Sequence, residues 1–112
     1  MADPSTVKVV KSYLAKLNEQ GFEVVFGVLF GSHATGHAGK WSDIDLLIVS
    51  PLFDEPYSRK DFNQLWRLAA RVDSRIEPIA CGERQWEEDD RHTIIEIARR
   101  EGEKISISCS GG

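Results

Sequence analysis

Long apolar runs are missing from this chain: nothing in its 112 residues approaches the roughly 20 apolar residues that a membrane helix needs. The opening residues lack the basic-then-apolar pattern of a secretory signal, so a cytoplasmic location is expected. Cysteine is scarce. Cys81 and Cys109 stand far apart, with no C-x-x-C pair and no histidine at ligand spacing. Both read as reduced thiols, and neither a disulfide framework nor a zinc site is implied. A basic excess is also lacking, since 14 Lys and Arg face 18 Asp and Glu for a net charge of -4. Broad nucleic-acid binding needs a basic face to neutralise phosphates, so it is not expected, although a local basic groove is compatible with this balance. Internal repeats and low-complexity segments are absent as well. What is left, 41% hydrophobic and 29% charged, is the composition of a soluble globular protein, read as one domain over residues 1–112 with 109–112 as a flexible tail.

The informative residues lie between positions 24 and 49, VVFGVLFGSHATGHAGKWSDIDLLIV. The apolar run 24–30 reads as a strand buried on both faces, and it stops at Gly31-Ser32. After a loop rich in Gly and His, a second apolar run opens with Asp43 and Asp45. Side chains alternate along a strand, so these two acids share one face while Ile44 takes the other. Carboxylates held side by side repel unless a cation lies between them, so the pair points to a divalent metal. At Gly31 a backbone without a side chain can approach a phosphate, and a helix starting at Ser32 can bind it. A phosphate-gripping turn facing a metal-binding pair indicates nucleotide chemistry. The acidic balance suits a small nucleotide delivered as its metal complex.

Gly31, Ser32, ten intervening residues and then Asp43-Ile44-Asp45 resembles the signature of the polymerase-beta-like nucleotidyltransferase superfamily, and GSHATG with SDIDLLIV is similar to its minimal nucleotidyltransferases. The strong resemblance covers about residues 22–50. It implies an α/β (α+β) fold, a small mixed sheet with helices packed on it. It also implies transfer of a nucleoside monophosphate, AMP from ATP first of all, to a hydroxyl of a protein or small molecule. Two Mg2+ ions are the implied cofactors, with Mn2+ as a substitute. On this resemblance Asp43 and Asp45 are catalytic metal ligands, Glu77 on a neighbouring strand is the third carboxylate, and Gly31 and Ser32 hold the nucleotide's phosphates. Family members of this size often work beside a helical HEPN protein, as antitoxins that can neutralise it by adenylylation. A non-catalytic module that silences such a partner by contact is the alternative. An antibiotic nucleotidyltransferase is a weaker one, since it normally carries a further substrate-binding domain. A homo-oligomer is compatible with each.

The rest of the chain supplies the elements in order. Asp3-Pro4 opens a helix with Val7, Val10, Leu14 and Leu17 at helical spacing and Gly21 as its stop. The first strand is expected over 22–30, a short helix over 31–35, the second strand over 43–49 and a surface connection over 51–58. An amphipathic helix then carries Phe62, Leu65, Ala69 and Val72 on one face. A third strand is expected over 75–81, with Pro78 marking an edge. One helix from the acidic stretch after Gly82 through Ile94, Ile95, Ile97 and Ala98 to Arg100, and an edge strand over 104–108, complete it. His33 and His37 read as surface loop residues, Lys40, Arg59 and Lys60 as solvated charges, and Ser42 as a cap on the approach to the second strand. Trp41, Trp66 and Trp86 read as packing rather than as base-stacking rings.

Overall fold

Phe26–Phe30 form β1, five consecutive buried residues, because this strand is flanked on both sides and covered on both faces. Ile44–Ser50 form β2, antiparallel to β1 from Phe26↔Val49 to Phe30↔Asp45. Ile76–Gly82 form β3, parallel to β2, and Glu103–Ile105 form β4, antiparallel to β1. The sheet order is β3-β2-β1-β4, a mixed sheet with the Pro78-bearing strand on one edge. Pro78 cannot donate to a ladder, and an edge is where a strand tolerates that. These features come from a computed structural model, which describes residues 4–31, 43–54, 59–88 and 93–106.

Alternation along the strands builds two cores. On one face α1, Pro4–Glu19, and α2, Arg59–Val72, bury Val10, Leu14, Leu17, Leu65 and Ala69 against Leu29, Leu46 and Ile48. The two helices are tied by the buried Tyr13 hydroxyl, which donates to the Leu65 carbonyl at 2.8 Å. Burial pushes the Tyr13 pKa upward, so this donor stays neutral. On the other face α3, Glu83–Glu88, and α4, Thr93–Glu101, cover Phe26, Val28, Leu47, Val49 and Cys81 with Ile95 and Ala98. Trp86 packs edge-on against Phe26, centroids 5.5 Å apart, under the guanidinium of Arg99. Trp86 therefore serves packing. α2 carries the chain from β2 to the parallel β3, a crossover that places the starts of both strands at the same end of the sheet.

Several boundaries differ from those expected. β1 starts at Phe26 rather than residue 22: Glu23 takes a positive φ of 47°, the Val24 N–H bonds the Asn18 side chain, and Phe22 turns onto Phe53. β2 starts at Ile44, which leaves Asp43 just outside it. The acidic stretch and the Ile-rich stretch form two helices, with 89–92 between them outside the described residues. Phe62 and Ile94 are exposed, because Leu68 and Ile95 take the buried stripes of their helices. β4 ends at Ile105; Cys109 and the tail 109–112 lie outside the described residues, as does the expected short helix beyond Gly31.

Gly82 ends β3 tightly against Asp54, whose carboxylate accepts the Arg84 N–H at 3.1 Å as α3 begins. A Cβ at Gly82 would run into Asp54 Oδ1 and stand 3.0 Å from its Cα. Gly82→Ala should therefore cost about 1–3 kcal/mol by overpacking, and urea denaturation should show it as a lower midpoint.

Candidate active site

The sheet end that collects the sequence-picked acids is defined by register. Phe30, the last residue of β1, pairs with Asp45, and Asp45 pairs laterally with Glu77 at the start of β3. Asp45 alternates onto the face of Leu47 and Val49, and Glu77 onto that of Cys81, so both carboxylates stand at the rim of the core under α3 and α4. Asp43 precedes β2 by one residue and is exposed, as is Glu77; Asp45 is half-buried. Residues 32 positions apart in sequence thus meet across one strand pair. The pairing is fixed by β3, since a slip of one residue there would turn Ile76 out of the core and Glu77 into it.

The electrostatics show what such proximity costs. Partial desolvation raises the Glu77 pKa above its ordinary value, and so do the charge of Asp43, a hydrogen bond shared with Asp45 and the charge of Asp45. Glu77 is exposed, so the neighbouring carboxylates are the weightier physical cause. The site prefers an added positive charge. All its donors are carboxylate oxygens, the chemistry of a hard divalent cation such as magnesium. Among the described residues no three His, Cys, Asp or Glu side chains form a ready-made metal cage. Magnesium does not require one: it is commonly bound through one or two carboxylates, substrate phosphates and waters.

Gly31 closes β1 with φ +77°, and a Cβ there would stand 2.6 Å from Asp45 Oδ2. The missing side chain therefore serves Asp45 directly, in addition to leaving the backbone approachable. Sequence reasoning found Gly31 for its openness to phosphate but missed this contact, which only the β1–β2 register reveals. Gly31→Ala should cost about 1–2 kcal/mol from the left-handed backbone alone, and should also push the Asp45 carboxylate aside. Thermal unfolding and magnesium titration of the same variant should register both effects.

Ser32 lies outside the described residues, as do His33, His37, Lys40, Trp41 and Ser42. Arg59 and Lys60 are exposed at the start of α2, and Trp66 is part-exposed beside Phe62, centroids 6.5 Å apart. A pair not anticipated from sequence stands at the same sheet end. The Arg75 guanidinium donates to Asp73 through Nε at 3.0 Å and Nη2 at 2.7 Å, while the Arg75 carbonyl accepts the Ile44 N–H at 2.8 Å, between the two aspartates of the motif.

A small mixed sheet with paired helices on each face and three carboxylates at one end defines an α+β domain. The chain belongs to the nucleotidyltransferase domain family, whose model matches residues 8–107. By sequence, no curated protein matches it. Among solved structures, it resembles a candidate nucleotidyltransferase from Sulfolobus solfataricus at 18% identity and TM-score 0.59, over 88% of this chain and 77% of that one. A toxin-antitoxin structure with AMP-PNP matches at 17% identity and TM-score 0.60, over 90% and 76% of the two chains. A complex of tri-AMPylated Shewanella oneidensis HEPN toxin with MNT antitoxin matches at 16% identity and TM-score 0.53, over 88% and 71%. At these identities the likeness is one of fold. Among the described residues no helix is long and apolar enough to cross a membrane.

Proposed function

We propose that this protein is a metal-dependent nucleotidyltransferase that moves a nucleoside monophosphate, AMP from ATP in the first place, to a hydroxyl on a HEPN-type protein partner in the cytoplasm. The observation that carries the reading is the lateral pairing of Asp45 with Glu77, with Asp43 at the strand mouth and Gly31 against Asp45. Asp43 and Asp45 hold the cation that arrives with the triphosphate. Glu77 completes the acid set on the acceptor side, and the backbone at Gly31 leaves room for the phosphates. Ser32, next in the chain, is assigned to the same phosphates on its position in the motif. Bound at these carboxylates, Mg2+ (two ions, or Mn2+ in their place) would neutralise charge on attacking and leaving oxygens of an in-line displacement. The protein acceptor draws support from the toxin-antitoxin structures of the same fold, one with AMP-PNP and one with an AMPylated HEPN toxin.

The test is incubation of the purified chain with Mg2+, each nucleoside triphosphate in turn and the purified product of the neighbouring gene. A mass gain of one nucleoside monophosphate on that protein, greatest with ATP, is expected. Neutralisation of the partner with no mass gain would replace this reading with a module acting by contact alone.

A further inference from the structure

α2 carries a surface that the carboxylate site leaves unused. Its 14 residues hold four cations, Arg59, Lys60, Arg67 and Arg71, and one acid, Asp61, in a chain of net charge -4. All four cations are exposed. Between them Phe62 and Trp66 lie one turn apart, 43% and 40% exposed, with ring centroids 6.5 Å apart. Leu65, Leu68 and Ala69 already fill the buried stripe of the helix, so the core does not demand these rings. Aromatic rings set among arginines match the composition of protein interfaces. Direction ties this face to the site. α2 is about 21 Å long and runs back from the far end of β2 to the start of β3, so Arg67 and Arg71 come at the sheet end of Asp43, Asp45 and Glu77. The helix packs over β3, the strand of Glu77 itself. The outer edge of β3 offers little to an added strand. The Arg75 carbonyl faces β2, so residues 76, 78, 80 and 82 turn their backbone groups outward. There the Ile76 N–H is taken by the Asp73 carbonyl, Pro78 has no N–H, and the Gly82 N–H is taken by the Gln85 side chain at 3.2 Å. A protein that brings a hydroxyl to Glu77 therefore rests on the side chains of α2 instead of extending the sheet.

We propose that the outer face of α2 is the docking surface for the protein acceptor, and that it receives an acidic surface whose central apolar side chain seats on Phe62 and Trp66. The proposal rests on the reading of this chain as a transferase to a protein hydroxyl. The cations steer and orient such a surface, and the rings supply the desolvated centre of the contact. Docked along α2, the acceptor reaches the sheet end past Arg71, on the side of Glu77. Nucleic acid is the poorer match. Its phosphates would continue from the four cations onto the carboxylates of the site, whereas the acids of a protein can be confined to the patch. A second copy of this chain would offer its acidic α3, with Glu83, Glu87 and Glu88 exposed on the opposite face of the sheet, in a head-to-tail contact that repeats from copy to copy.

Isothermal titration of the full chain with the purified product of the neighbouring gene, without nucleotide, reads docking apart from transfer. Arg67→Glu/Arg71→Glu and, separately, Phe62→Ala/Trp66→Ala should each weaken that binding by about tenfold or more, and added salt should weaken it in wild type. Arg84→Glu/Arg100→Glu, the same charge reversal at exposed positions on the opposite face of the sheet, should stay within about threefold of wild type. In transfer assays the two α2 variants should raise KM for that protein while keeping kcat, whereas Asp45→Asn should keep the binding and lose the transfer. Circular dichroism melting shows which variants are folded. Wild-type affinity in either folded α2 variant, or no binding of that product to wild type, would overturn the proposal. So would a labelled single-stranded RNA oligomer, or a second copy of the chain, that binds wild type and is lost in Arg67→Glu/Arg71→Glu while protein binding stays. Binding that depends on α2, in a pair where wild type adds no mass to the protein, would keep the docking surface and remove only the transferase reading.

Discussion

Asp45→Asn should abolish nucleotidyl transfer, by about 10³-fold or more, while the metal-free protein melts no lower than wild type. Both halves follow from the position of this side chain. Asp45 is the meeting point of the site: it pairs with Phe30 on one side and Glu77 on the other, and Gly31 is small where its carboxylate stands. An amide has the same shape but cannot neutralise a divalent cation, so the substitution removes charge and little else. Transfer then falls because charge on the phosphoryl oxygens goes uncompensated. Stability does not fall, because a like charge beside Asp43 and Glu77 is relieved. Nucleotide-transfer assays and thermal unfolding with and without Mg2+ check the two halves. Magnesium should raise the melting temperature of wild type far more than that of the variant, by linkage of the ligand to the native state. Transfer at the wild-type rate would remove Asp45 from the machinery.

Glu77→Gln should lower single-turnover rate by about 10²–10³-fold at nearly unchanged nucleotide affinity, the signature of an interaction made mainly in the transition state. In the proposed reading Asp43 and Asp45 suffice for the ion that accompanies the triphosphate, whereas Glu77, on the edge strand, serves the acceptor side. Glu77→Asp should fall between the two, since it keeps the charge on a shorter arm. The same residue gives a pH signature in the metal-free protein. Its pKa is raised in the folded state above the ordinary value near 4.5, so the native state binds the proton more tightly than the unfolded chain does. The resulting stabilisation is complete below the unfolded value and is lost as pH rises through the folded one. Melting temperature should therefore decline over that window in wild type, flatten in Glu77→Gln, and recover at neutral pH on adding Mg2+. An unchanged rate in Glu77→Gln would return this side chain to the role of a solvated edge acid.

The parts of this account that were legible in the sequence are those set by periodicity and by short-range chemistry. Alternation in 43–49 put Asp43 and Asp45 on one side of Ile44, and β2 is a strand from Ile44 onward. The helical spacing of Val10, Leu14 and Leu17 marked the buried stripe of α1, and all three are buried. Mixed sheet and helical layers followed from the element order, and the family match over 8–107 agrees with the resemblance seen in the motif. What was not legible depends on tertiary register. Nothing local says that Glu77 lies opposite Asp45 rather than one residue away, because that pairing is decided by which of Ile76 and Glu77 enters the core. Gly31 offered φ freedom in the sequence, but its contact with Asp45 required two strands to be aligned. The division into α3 and α4 escaped the helical pattern too, since the apolar spacing of Ile94, Ile95 and Ala98 continues the helix that the acidic stretch suggests.

The central claim is that Asp43, Asp45 and Glu77 form one acid set at the end of the sheet, the two aspartates on the metal of the triphosphate and Glu77 on the acceptor side. Diffraction from crystals of the full chain grown with Mn2+ and a non-hydrolysable ATP analogue, collected at the manganese absorption edge, tests it most directly. The account predicts anomalous peaks within coordination distance of Asp43 and Asp45, with the triphosphate against Gly31 and Glu77 facing the acceptor side. Manganese and nucleotide bound elsewhere on the chain, with these carboxylates left uncoordinated, would contradict it.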